Sequence, residues 1–193
     1  RLLAKHGGLS TDAANSIIKE LILEQIHRTH DAEQLQRLWR ELPLDNQQWP
    51  DIAIAAARKL VKVQGPSEIA RTWLRPIWEQ ATHTPEMLTP SQSLRLIQTL
   101  QQAMEGLDSD WLGRIEAAQR AAPQNPALQY IAGMACLQRQ LWGKGEQLLQ
   151  QAVHRLDDPA LRTQAWKALA LIAEQREDTA AAHAAWRKAA MQE

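Results

Sequence analysis

The chain has 193 residues with 22 basic against 22 acidic side chains, a balance that removes the global field drawing proteins to nucleic acid or to anionic membrane surfaces. Cys136 is the only cysteine, so an intrachain disulfide and a disulfide-built scaffold are excluded. No apolar run approaches the roughly 20 residues needed to span a bilayer, and eight Trp residues carry nearly all the aromatic surface because Phe is absent and Tyr occurs once.

The opening RLLAKHGG, without an initial Met, reads as the end of a helix closed by Gly7 and Gly8, and the chain is expected to be a fragment lacking its N-terminal part. From there apolar residues recur at helical spacing with almost no strand-like alternation, which predicts an all-α chain. Ser10 is expected to cap a helix running to about Thr29, with Ile17 and Leu21 in its apolar stripe. Asp31 caps a second, AEQLQRLWREL, ended by Pro43, which lacks a backbone donor. A third covers about 50–64, a fourth 66–81, and 85–90 reads as a loop. Six more follow at about 91–105, 109–122, 126–140, 143–155, 159–176 and 179–191. Short connectors between helices of this length favour antiparallel neighbours.

Internal repetition narrows the architecture. LQYIAGMACLQRQLWGKGEQLLQQAV (128–153) aligns with AWKALALIAEQREDTAAAHAAWRKAA (165–190) at an offset of 37 residues. Gly133 then meets Ala170, Cys136 meets Ala173, Gly145 meets Ala182, Ala152 meets Ala189, and Leu149 stands opposite Trp186. The offset is near the tetratricopeptide period of about 34 residues, with the excess assigned to the HRLDDPALR connector. Small residues such as Ala170 and Ala182 let two helices of a hairpin approach, while Trp166 and Trp186 fill the space between hairpins. A looser copy spans the AIAAARKL helix and its successor, with Gly65 at the turn and Ala70 where Ala182 falls. Gly145, standing where alanine is usual, is expected to loosen its hairpin. The predicted fold is thus a right-handed solenoid of antiparallel helical hairpins. It divides into solenoid-like helices at 1–46, degenerate repeats and a divergent pair at 47–123, and two clear repeats at 124–193.

No phosphate loop, HExxH, GxSxG or CxxCH occurs, so neither catalysis nor a cofactor is expected. His27 and His30 lie three apart, but no thiol or carboxylate at a fitting distance completes a metal set. Cys136 reads as a small buried residue at a hairpin contact. Asp157 and Asp158 beside Pro159 read as helix-start carboxylates, and Trp73 and Trp78 around Pro76 as filling between hairpins, with Pro76 bending their helix. The open face of the first helix in each late hairpin offers Tyr130, Met134, Leu137 and Gln138, then Lys167, Leu171, Glu174 and Gln175. That mixture of one aromatic, soft apolar and amide groups suits a protein or peptide ligand and lacks the cation cluster of a carboxylate or phosphate clamp.

RLWRELP (37–43), the AIAAARKL helix, a divergent middle containing Trp111, and ALQYIAGMACLQRQLWGKGEQLLQQA together resemble the C-terminal repeat region of the HemY family, over about residues 10–193. LWGK at 141–144 is the most telling element. The resemblance implies a non-catalytic scaffold of a proteobacterial membrane protein associated with haem biosynthesis. It also implies N-terminal membrane helices not present here, and a repeat domain on the cytoplasmic side of the inner membrane. Haem-biosynthesis enzymes are then among the expected partners. A general adaptor for envelope-complex assembly is the alternative, and a porphyrin-binding protein a third reading.

Overall fold

A computed structural model of the chain describes residues 11–192, and the expectations placed on Gly7, Gly8 and Ser10 lie outside the described residues. Every regular element among them is helical. The chain divides into two compact units, Arg1–Glu79 and Gln80–Glu193.

In the first unit, α1 (Thr11–Arg28) packs on α4 (Pro50–Lys62). It does so through Ile22 and Ile26, one turn apart and both buried, whereas Ile17 and Leu21 are 47% and 61% exposed. The covered face of α1 is therefore that of Ile22 and Ile26 and not the stripe of Ile17 and Leu21. The contact is fixed by polar ties as well as apolar ones, since Lys19 pairs with Asp51 at 3.4 Å and Lys59 Nζ donates to the His27 carbonyl at 2.8 Å. Helix α2 (Ala32–Glu41) begins where Asp31 accepts from the Gln34 N–H at 2.8 Å, as its capping role requires. A four-residue helix that the periodicity could not reveal, α3 (Leu44–Gln47), follows at once. Its Gln47 amide donates back to the Trp39 and Leu42 carbonyls, adding to the capping of the end of α2. Trp39 stacks on Trp73 of α5 (Ser67–His83) with centroids 4.5 Å apart and planes 17° from parallel. Trp78 is buried as well, so both tryptophans around Pro76 fill the interior, within a helix that continues through the proline.

The second unit contains α6 (Pro90–Gln102), α7 (Ser109–Ala121), α8 (Pro126–Gln138), α9 (Trp142–Val153), α10 (Pro159–Gln175) and α11 (Thr179–Ala190). A 3-10 turn over Pro85–Met87 occupies the predicted loop. Side chains predictable from the sequence start several of these helices: Asp108, Asn125, Asp158 and Asp178 each accept from backbone N–H groups of the first turn. Helices α8 and α9 form one hairpin and α10 and α11 the next; α9 also packs on α10, and α8 on both α6 and α10.

The repeat is written in the turns as well as in the helices. After α8, Gln140 has φ 60° and the Leu141 N–H reaches back to the Cys136 carbonyl at 2.8 Å. After α10, Glu177 has φ 59° and Asp178 N–H bonds the Ala173 carbonyl at 2.9 Å. Both are left-handed helix terminations closed by a hydrogen bond across six residues, and the 37-residue offset carries one onto the other. The turn after α4 has the same geometry, with Gln64 at φ 58° and Gly65 N–H on the Leu60 carbonyl at 2.8 Å. Gln64, not Gly65, is thus the counterpart of Glu177. Gly65 is an inserted residue, after which α5 regains register because Ala70 N–H bonds Pro66 as Ala182 N–H bonds Asp178. A Cβ at position 65 would lie 2.4 Å from Leu60 Cδ1, which explains glycine there.

Glycine at 145 does the opposite of loosening its hairpin. A Cβ built there would come within 2.6 Å of Leu137 Cδ2 and 3.1 Å of the Gly133 carbonyl oxygen. One built on Gly133 would come within 2.8 Å of Leu149 Cγ and 3.2 Å of the Gly145 carbonyl oxygen. The two backbones approach so closely that a side chain on either glycine would have to displace a packed leucine, since Leu137 and Leu149 close over them. Ala170 and Ala182, both buried, hold the equivalent places in the last hairpin. Trp186, by contrast, does not fill an interhairpin space. It is 37% exposed, since α11 has α10 as its main neighbour whereas α9, carrying the fully buried Leu149, lies between α8 and α10. Trp166 is half-buried between hairpins, edge-on to His154 at 5.5 Å, with the Lys188 ammonium 4.4 Å from its ring centre.

Gly133→Ala gains up to about 1 kcal/mol of helix propensity but forces the packed Leu149 aside, and overpacking of this kind costs about 1 to 3 kcal/mol. A net loss in denaturant midpoint with unchanged helicity is the expected outcome. Trp73→Ala, which removes a buried ring and its stacking partner's contact, is expected to cost about 3 to 5 kcal/mol by the same measurement.

Candidate functional site

The second unit holds a cavity of about 520 Å³, within the size range of ligand sites. Its floor is apolar: Met104, just beyond α6, with Ala168 and Ile172 of α10, all buried. Met134 and Leu137 of α8, half-buried, form one wall. At the rim stand Trp142, 39% exposed at the start of α9, and Leu171, 52% exposed on α10. The polar part of the lining consists of Gln101, Gln138 and Gln175 with Glu174.

Six of the eight residues expected on an open face therefore come together around one cavity: Met134, Leu137, Gln138, Leu171, Glu174 and Gln175. Lys167 is half-buried and lies outside the lining. Tyr130 is a correction. It shares the helical face of Met134 and Gln138, but it is fully buried, with its hydroxyl making no hydrogen bond. Burial raises its phenol above the ordinary value, and the Asp158 carboxylate at the start of α10 adds to the rise. The connector into α10 thus approaches the part of α8 where Tyr130 sits, while leaving the C-terminal part of that face open. The alignment of two hairpins could not show this, because a connector's path is not periodic.

The sequence reading missed Gln101, Met104, Trp142, Ala168 and Ile172. For Gln101 a signal was present: Gln101, Gln138 and Gln175 are each separated by the repeat offset of 37 residues, so α6 is in register with α8 and α10. The register was hidden because α7 starts later after α6 than α9 does after α8, at Ser109 against Trp142. Trp142 and Met104 lie beyond the helices that build the face and follow no face pattern.

Glu174 does more than carry charge at the rim. Its Oε1 accepts from the Trp186 indole N–H at 2.6 Å, which holds the carboxylate toward α11 and explains the exposed position of Trp186. On the other side of α8, Cys136 Sγ lies 3.9 Å from Glu116 Oε1, and Glu116 pairs with Lys144 at 2.6 Å. Burial, then the Glu116 charge, pushes the thiol from 9.0 up to about 11, with Lys144 opposing. Asp158 accepts from the Leu161 N–H at 2.9 Å and is a cap, as the sequence indicated. His27 and His30 are exposed, and no group of three His, Cys, Asp or Glu among the described residues is placed to hold a metal ion. None of the described helices is long and apolar enough to cross a membrane.

No protein-family model matches the chain, and no curated protein matches it. Among solved structures it is similar to the MamA RS-1 ArsTM double mutant, with a TM-score of 0.55 and 19% identity over 92% of this chain and 93% of that one. MamA MSR-1 C2 superposes with a TM-score of 0.49 at 15% identity, over 93% and 96%. The first likeness shows a tetratricopeptide-like all-α repeat fold. The narrower resemblance to the HemY family is joined by no family match.

The Cys136 thiol gives a pH dependence with a definite sign. Between about 9 and 11 the folded chain keeps a proton that the unfolded chain has released, so stability falls as pH rises through that window. The stability advantage of the parent over Cys136→Ala is expected to narrow from pH 8.5 to pH 10.5, read from urea midpoints at each of these roughly chosen pH values.

Proposed function

We propose that the chain is a non-catalytic scaffold that binds another protein through the face shared by α6, α8 and α10. The observation that carries this reading is the cavity itself. Equivalent positions of the alternate helices α6, α8 and α10 line it, its floor is apolar, and Trp142 and Leu171 stand at the rim with much of their surface uncovered. Exposed apolar and aromatic groups around a concave surface, with few charges, have the make-up of a protein-recognition site rather than of an active site. The lining contains no nucleophile with an adjacent base and no paired acid and base.

A finer form of this proposal makes the chain the repeat region of a membrane-anchored factor in haem biosynthesis, at the bacterial inner membrane with the repeats on its cytoplasmic side. It is supported by the likeness of RLWRELP, AIAAARKL and LWGK to the HemY family. Haem-pathway enzymes would then be the partners.

The test places a photo-crosslinking amino acid at Leu171, and at the exposed Ala184 on α11 as a control, in the protein expressed in its native cell. Crosslinked proteins are mapped residue by residue by mass spectrometry. A defined partner joined at position 171 and not at 184 is the expected result. Equal, diffuse labelling at both positions would remove the scaffold reading. Partners outside the haem pathway would remove its finer form and favour a general adaptor.

A further inference from the structure

The first turn of α9 carries Trp142 to the rim of the cavity, and it is built unlike the turns that start its neighbours. Among the described helices of the second unit, α6, α7, α8, α10 and α11 each begin with a side chain that accepts a first-turn N–H. Helix α9 begins at Leu141 with none. The repeat offset supplies the comparison: Leu141 stands where Asp178 stands before α11, and Lys144 where Ala181 donates its N–H to that carboxylate at 3.0 Å. Leucine has no acceptor, so the donors of this turn lack the partner that a cap provides. Gly143 weakens the turn further. A Cβ there would meet nothing within 4 Å, so packing does not call for glycine as it does at Gly133 and Gly145. What remains is its low helix propensity at an exposed position.

Two ion pairs hold the helix start. Glu146 pairs with Arg176 at 2.5 Å and anchors α9 beyond Gly145, while Lys144, inside the weak turn, pairs with Glu116 of α7 at 2.6 Å. On the scaffold reading, we infer that residues 141–144 are a lid over the cavity, which unwinds at Gly143, carries the Trp142 indole off the rim, and is drawn back by the pair between Lys144 and Glu116. Trp142 in the lining marks the closed position. Gly145, buried against Leu137 and Gly133, is the fixed end. A partner segment enters while the turn is open and is retained when Trp142 returns, so the stability of one helical turn sets the rate of exchange.

Opening is read in the free full chain, from amide exchange at Gly145, whose N–H bonds the Leu141 carbonyl at 2.9 Å. This amide is expected to exchange by local opening, at a rate insensitive to low urea. Asp fits at 141, because the backbone there (φ −87°, ψ 64°) is close to that of the capping Asp178 (φ −82°, ψ 79°). Leu141→Asp and Gly143→Ala are each expected to slow exchange roughly fivefold. Lys144→Gln is expected to speed it about two- to threefold. Gating is read separately, from a thiol on the cavity floor, Met104→Cys in the Cys136→Ala background, reacting with fluorescein maleimide. Met134→Cys on the wall takes its place if the first variant loses helicity by circular dichroism. The labelling rate is expected to follow the Gly145 exchange rate through the same three changes. In Trp142→Ala it is expected to rise and to lose that dependence.

A Gly145 amide that exchanges only on global unfolding would overturn the lid. Slower exchange in Leu141→Asp with an unchanged labelling rate would overturn it too, since the turn would then fray without covering the cavity. Neither result touches the scaffold reading, which rests on the crosslink at Leu171. Loss of that crosslink with both readouts as expected would remove the scaffold and keep the lid.

Discussion

The backbone approach between α8 and α9 at Gly133 and Gly145 is the contact on which the site depends. With no side chain on either residue the helices close until each carbonyl lies just over 3 Å from where the other residue's Cβ would stand. Leu137 then packs across Gly145, and the same side chain forms part of the cavity wall. A larger residue at 145 would push Leu137 toward the space a ligand would take. The hairpin interior and the binding face are thus two sides of one leucine. Rigid packing on the inner side is what gives the outer side a fixed shape.

The turns complete the same geometry at an energetic cost. Gln64, Gln140 and Glu177 adopt left-handed backbone conformations, which cost a non-glycine residue roughly 1 kcal/mol or more. Each is held by the hydrogen bond that closes the helix end behind it, and by the packing of the two helices it joins. The cost recurs in three turns because the termination, not the residue type, is what the repeat preserves. Where the turn is longer, as after α4, glycine enters at the inserted position beside Leu60.

Polar groups are divided between holding the fold and facing the cavity. Asp31, Asp108, Asn125, Asp158 and Asp178 are occupied by helix starts, and Glu116 by Lys144 and the Cys136 thiol. The carboxamides of Gln101, Gln138 and Gln175 are instead part of the cavity lining. Glu174 belongs to both groups, because its bond to Trp186 orients a charge that remains at the rim.

The all-α class, nearly every helix, the 37-residue repeat and its small-residue contacts were legible in the sequence, because they follow from local propensity, capping chemistry and periodicity. The same periodicity placed Met134, Leu137, Gln138, Leu171, Glu174 and Gln175 on one face, where the structure gathers them. Which part of that face stays open was not legible. Tyr130 has the right phase but lies in the interior near the α10 connector, Trp186 has a buried counterpart yet lies outside, and Ile17 and Leu21 form a stripe that α4 does not cover. In each case phase depends on a residue's own helix, while burial depends on where a neighbouring segment runs. The same holds for Gly145: sequence propensity reads it as a weak point, and only the position of Gly133 across the hairpin makes it a close backbone contact between the two helices.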